Sequence, residues 1–388
     1  MNAFLLKIYA FKFFEELGFI YPLYAVMFAD YGLDAFQIGV LFTTWSVVAF
    51  VLEVPSGTLA DKFSRKHILF FAQLVRIVGY GFWLFMPNFE GFLIGFICWG
   101  IESAFASGTY EALVFDELRK FGKENEYTKI IGRARSLSLI AIIIASLAAS
   151  VAILLGYAFV LVISIASVAC AALAVVTLPY AKQVRTIQQK KYFSLLISGI
   201  ATSLKNKIVL KIIIFLSLAT ALAGALDEYW PLFGSEAGLP KWGLGLFIAA
   251  MAAAEATGSA LAHRFDKFSS NFFYVLLFSQ GILLVTAALI FKEYSVVFII
   301  VFMFLTQIVQ VNFEGKLQHA IPTETRATIS SVKGLFTEFG AIAVFLSFGI
   351  LAFEASYQWA FGFYGVVIIV VACTYLLLPS RKNDLQSK

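Results

Sequence analysis

Charge is scarce in this chain, and that scarcity excludes most soluble architectures. Only 14% of its 388 residues are Asp, Glu, Lys or Arg, and 61% are hydrophobic, whereas soluble domains carry about 25% charged residues. Cysteine is nearly missing. Cys98, Cys170 and Cys373 lie apart in separate apolar blocks, which excludes a disulfide framework and a thiolate metal centre. The three histidines, His67, His263 and His319, fall at loop edges without the spacing of metal ligands, so no metal site is expected. A glycine-rich phosphate loop and a nucleophile signature are both missing. ATP-driven pumping and catalysis therefore have no residues to perform them; neither an enzyme nor a cofactor is implied.

What is present is hydrocarbon-compatible sequence. The mean hydropathy is +0.87, and apolar residues come in blocks of about 20 or more, the length that crosses a bilayer as helix. Twelve such segments can be drawn, from 4–30 to 357–378. The first is too long for a cleavable signal core and is interrupted by Lys7, Lys12, Glu15 and Glu16, so it reads as a retained spanning helix. Open strands would leave edge amides unpaired in lipid, and the runs are continuous, not alternating. The expected fold is an all-α polytopic membrane protein with the lipid bilayer as its main partner.

Lys and Arg concentrate in alternate connections. Lys62, Arg65, Lys66, Arg119, Lys120, Lys123, Arg264 and Lys267 lie on one side, together with the basic stretch 182–207. By the positive-inside rule that side is cytoplasmic, with both termini inside a cytoplasmic membrane. The net charge of +5 thus reports orientation, and no nucleic-acid partner is expected. The polar connection 180–208 divides the chain into an N-terminal bundle, 1–179, and a C-terminal bundle, 209–388. Phe193, Ile197, Ile200 and Leu204 recur within the connection at helical spacing. It reads as a short helix on the membrane face, or as an unstructured linker.

The two halves resemble each other. Tyr21-Pro22-Leu23-Tyr24 in the first span recurs as Trp230-Pro231-Leu232-Phe233 in the seventh. Glu53 answers to Glu255, Tyr110-Glu111 to Phe313-Glu314, and Arg135 to Lys333. The offsets all lie at about 200 residues with helix order kept, the mark of a duplicated six-helix bundle.

One loop then names a family. Gly57-Thr58-Leu59-Ala60-Asp61-Lys62-Phe63-Ser64-Arg65-Lys66 resembles the G-x-L-a-D-r-x-G-r-k signature of the major facilitator superfamily of secondary transporters. Gly57, Leu59, Asp61, Arg65 and Lys66 match; Ser64 replaces the second glycine and Lys62 the usual arginine. The resemblance implies two pseudo-symmetric six-helix bundles, with spans one, four, seven and ten lining a cavity. It also implies that Asp61 meets the inner end of span eleven.

Ionisable residues at membrane depth usually face protein or water and have partners. Glu15 and Glu16 lie about ten residues, or roughly 15 Å, from the inner end of the first span. They are candidates for binding substrate or protons, or one of them pairs with Lys12. Tyr21, Tyr24, Glu102, Tyr110, Asp227, Glu228, Trp230, Gln307, Gln310 and Glu338 complete the candidate substrate and proton set. Glu111 with Arg135, and Glu314 with Lys333, are expected pairs, either gates or permanent bridges, with Glu53 and Glu255 within reach. Arg76, the one deep arginine, sits on a supporting span and is expected in a structural ion pair.

The function expected is a monomeric secondary transporter of a small organic solute, coupled to protons and working by alternating access. An exporter of cationic or amphipathic compounds and an importer of a nutrient or siderophore-like metal chelate both fit. A non-transporting receptor on the same fold is the reading from another class.

Overall fold

The computed structural model describes residues 1–178, 207–321 and 326–377. The segment 180–206, with its expected surface helix, lies outside the described residues, as do the side chains of Gly57 and Asp61. Among the described residues the chain is helical throughout. In chain order the helices are α1 Asn2–Glu16, α2 Tyr24–Asp30, α3 Ala35–Lys62, α4 Arg65–Phe85, α5 Phe89–Ala106, α6 Thr109–Lys120, α7 Tyr127–Ala152 and α8 Tyr157–Val176. They continue as α9 Lys207–Asp227, α10 Trp230–Glu236, α11 Lys241–Leu261, α12 Ser270–Ile290, α13 Val296–Ala320, α14 Arg326–Glu354 and α15 Tyr357–Leu377. Among the described residues, eleven helical stretches are long and apolar enough to cross a membrane.

The first expected span does not reach that length as one helix because it is broken. Helix α1 stops at Glu16 and α2 starts at Tyr24. Pro22 has no N–H to donate and disfavours helical geometry in the residue before it. The seventh span breaks at the matching place, between Asp227 and Trp230, with Pro231 tolerated in the first turn of α10. The fourth span breaks at Ser107–Gly108, where Gly108 adopts φ 69°, a left-handed conformation that costs glycine little. The tenth span, α13, runs unbroken. The signature read as a loop is mostly helix: α3 extends to Lys62, leaving Phe63 and Ser64 as the connection.

The chain divides into two compact units, Met1–Gln188 with Pro240–Ala252, and Gln189–Leu239 with Ala253–Lys388. The first turns of α11 thus group with the first unit, where the halves drawn from sequence had placed all of it in the second.

Within the first unit, the buried positions of α1 are Phe4, Ile8, Phe11 and Glu15, one stripe at helical spacing. The first three join Tyr110, Leu113, Val114, Leu118, Ile130 and Val175 in an apolar layer. A second, aromatic layer gathers Tyr24, Phe28, Phe42, Trp83 and Phe96. Glu15 ends the stripe, between these layers.

The second unit repeats the packing with different side chains. Phe11 lies against Tyr110 with ring centroids 5.6 Å apart, and Phe215 lies against Phe313 at 4.2 Å. Helices α12 and α15 meet at Gly281 and Gly365. A Cβ on Gly281 would stand 2.6 Å from Ile369 Cγ1 and 2.8 Å from the Gly365 carbonyl oxygen. Close backbone approach through small residues is how helices associate where lipid supplies no hydrophobic drive.

Candidate functional site

The break after α1 leaves main-chain groups that need partners at membrane depth. Helix α8 supplies two: Ser167 Oγ donates to the Phe14 carbonyl at 2.8 Å, and Ser164 Oγ accepts from Ile20 N–H at 3.0 Å. Helix α4 supplies a third. Arg76 Nη1 donates to the Glu15 carbonyl at 3.1 Å, placing a positive charge at the negative end of α1.

Beside this break lies a cavity of about 420 Å³ lined wholly by the first unit. Its ionisable lining is Lys12, Glu15, Glu16, Arg76, Glu102 and Glu111. Ser103, Ser107 and Gly108, at the break between α5 and α6, add polar groups. Tyr21, Trp45 and Trp99 supply aromatic surface. Both interrupted helices therefore open onto the same space.

The charges are unevenly partnered. Glu15, 4% exposed, pairs with Lys12 Nζ at 2.6 Å. It also accepts from Gln73 Nε2 at 3.3 Å, and the same amide nitrogen reaches Glu102 Oε1 at 3.5 Å. One buried glutamine thus joins two buried carboxyl groups from different helices. Lys12 lies 4.8 Å from the Tyr110 ring centroid. Glu16 and Glu111 form no hydrogen bond or ion pair among the described residues.

Arg76 differs from its expected role. Among the described residues it forms no ion pair. Its guanidinium lies 5.2 Å from the Trp99 ring and 5.6 Å from that of Tyr80, whose hydroxyl accepts from Nε at 3.2 Å. A supporting helix has put its one deep cation into the cavity wall. The signal was available: Gln73, Arg76 and Tyr80 follow one face of an otherwise apolar segment at spacings of three and four.

Not every expected site residue reaches this cavity. Tyr24 is buried in the aromatic layer, and Tyr110 is buried on Phe11, its hydroxyl directed to the Ile8 carbonyl at 3.4 Å. Both rings are packed among aromatic and apolar side chains of neighbouring helices, away from the cavity lining. Glu53 is exposed on α3. Arg65 fastens the start of α4 to α6, pairing with Asp116 and donating to the Ala112 carbonyl at 2.7 Å; Asp116 was not singled out from sequence. Arg135 is exposed and does not pair with Glu111. Asp30 pairs with Lys241 and accepts from the Tyr157 hydroxyl, a second cluster that sequence reading did not find.

In the second unit, Gln307 Nε2 donates to Glu255 at 3.4 Å, and Asp227 acts on Glu255 electrostatically. Glu228 is half-buried where α9 gives way to α10, and Gln310 and Glu338 are half-buried on α13 and α14. Trp230 is fully buried, stacked 5.4 Å from Phe361, and like Tyr24 is a core residue. Lys333 Nζ meets Glu314 at 2.6 Å.

A helical membrane chain with polar groups gathered at broken helices is the architecture of a solute carrier. The chain belongs to the Major Facilitator Superfamily, whose sequence model matches residues 9–344, and it is a transporter rather than an enzyme. An uncharacterised MFS-type transporter, YxaM of Bacillus subtilis (strain 168), is 22% identical over 379 residues, covering 95% of this chain and 94% of that protein. Among solved structures, the nucleoside transporter NupG superposes with a TM-score of 0.79 at 15% identity, covering 97% of this chain and 98% of that one. A bacterial homologue of the human lysosomal transporter Spinster, inward-facing and occupied, gives 0.76 at 14% identity, covering 97% and 95%. At these identities the two structures speak for the fold alone.

Proposed function

We propose that this chain is a proton-coupled secondary transporter of a small organic solute, working by alternating access as a monomer in the cytoplasmic membrane, both termini inside. The observation that carries the reading is the Glu15–Gln73–Glu102 arrangement in the cavity wall. Two carboxylates close together in a nearly dry wall repel, and one proton between them removes the repulsion. A carrier whose preferred state changes with that proton couples its own conformational exchange to the proton gradient. Glu16 and Glu111, with no hydrogen bond or close ion pair among the described residues, suit a solute with a positive part, and Trp45, Trp99 and Tyr21 offer faces for its apolar body.

The deciding experiment is solute flux in proteoliposomes with an imposed pH gradient, read alongside a proton-sensitive dye. Accumulation inside or depletion from the lumen also distinguishes importer from exporter. If solute flux neither responds to the gradient nor moves protons, the coupling proposal fails.

Arg76 favours a second reading of direction and substrate. A cation without an ion-pair partner in the cavity suits an importer of an anionic nutrient or metal chelate as well as an exporter. A receptor on this fold predicts polar faces sealed by internal pairs, and Glu16 and Glu111, which form no close pair among the described residues, weigh against it.

A further inference from the structure

We infer that the first-unit cavity is built for a zwitterionic solute, with Arg76 reading the anionic end and Glu16 and Glu111 the cationic end. This rests on the reading of that cavity as the substrate site.

The argument begins with the donors of Arg76. A guanidinium carries five N–H groups in a rigid fork. Nε is used by the Tyr80 hydroxyl and one Nη1 proton by the Glu15 carbonyl, so three remain without a partner among the described residues. The hydrogen bonds to Tyr80 and the Glu15 carbonyl, with the Trp99 ring 5.2 Å away, restrain the fork, and a restrained fork favours bidentate recognition of a carboxylate. The Trp45 indole N–H, also in the lining, is buried without an acceptor. The cavity wall therefore offers unsatisfied donors on rigid side chains.

The remaining charges favour a solute that carries both signs. Lys12 is already engaged by Glu15, whereas Arg76 has no close ion pair among the described residues and is balanced only at longer range by Glu102 and Glu16. A solute carrying only negative charge would share the cavity with Glu15, Glu16, Glu102 and Glu111. A solute carrying only positive charge would leave the three remaining guanidinium N–H groups without an acceptor. One molecule with both an oxyanion and an ammonium group satisfies both ends. The volume of about 420 Å³ sits at the small end of ligand pockets, roughly 300–1,000 Å³. That fits a compact zwitterion whose body rests on Trp45, Trp99 and Tyr21.

The test uses the purified full-length chain and α-amino acids as probes, each beside its methyl ester and its N-acetyl derivative, with binding read by thermal shift and titration calorimetry. At least one free amino acid is expected to bind ten-fold or more tighter than both of its singly charged derivatives. Arg76→Lys is expected to erase the discrimination between acid and ester, and Glu16→Gln to weaken that between free and acetylated amine. Should no amino acid outbind its derivatives, or should Arg76→Lys keep the preference for acid over ester, the inference is overturned. Because Arg76 also caps α1, a variant that does not fold leaves the derivative series on the native protein to decide. Zwitterion preference without proton-driven flux removes the proton-coupling reading and leaves this one standing. Proton-driven flux of a simple cation, indifferent to the acid group, does the reverse.

Discussion

Lys333 and Glu314 are joined at 2.6 Å across α14 and α13, while their counterparts by sequence, Arg135 and Glu111, are apart. The duplicated chain has kept the pair in one half and released it in the other. In the first unit the acid is turned to the cavity and the base is exposed. In the second, Gln318 Nε2 donates to Glu314 at 3.0 Å and Ser217 Oγ to the Lys333 carbonyl at 3.1 Å, fixing both partners. One of the two matching positions lines a cavity and the other is held in an ion pair.

The clasp is expected to matter more for transport than for folding. Its side chains are 24% and 38% exposed, so neutralising either one is expected to cost no more than about 1 kcal/mol of stability. Lys333→Glu is expected to slow flux several-fold, and the swap Glu314→Lys with Lys333→Glu to recover it. Flux in proteoliposomes, with thermal unfolding as control, measures both; a swap that recovers nothing argues that the pair has no part in the cycle.

The shared amide predicts how coupling is lost. Glu102→Gln is expected to abolish accumulation driven by a pH gradient while leaving exchange at equal pH within about ten-fold of the native rate. Glu15→Gln is expected to do the same and also to release Lys12, weakening binding of a cationic solute. Counterflow compared with gradient-driven uptake separates the two activities, and full accumulation by both variants would locate the proton elsewhere.

The broken first helix depends on α8. Ser164→Ala leaves the Ile20 N–H without its acceptor in a fully buried place, a loss of about 1–3 kcal/mol. Lower thermal stability together with weaker binding at the cavity is expected, since the break shapes its wall. Ser164→Thr, which keeps the hydroxyl, tests whether the hydrogen bond and not the side-chain volume is responsible.

The α12–α15 contact predicts a purely structural lesion. Gly281→Val places methyl groups where Ile369 and the Gly365 carbonyl already stand, and overpacking of this kind costs about 1–3 kcal/mol. Thermal unfolding of the purified chain is expected to fall by several degrees, with substrate affinity unchanged in the folded fraction. A variant as stable as the native chain would show that the helices can part there without cost.

Sequence by itself settled the membrane class, the helical architecture, the family resemblance and the order of repeated elements. These follow from the length of apolar runs, the avoidance of unpaired amides and short motifs, which are properties of neighbouring residues. Tertiary structure alone decided which polar groups meet. Glu15 and Glu16 could not be told apart until the Phe4–Ile8–Phe11 stripe selected Glu15 for Gln73 and Lys12. Tyr24 and Trp230 became packing residues once their helices were broken beside them. Arg76 became a cavity group through a carbonyl 61 positions away in the chain. A helical position turns by about 100° per residue, so one break redirects every side chain beyond it. The partners waiting there come from distant segments that no local pattern records.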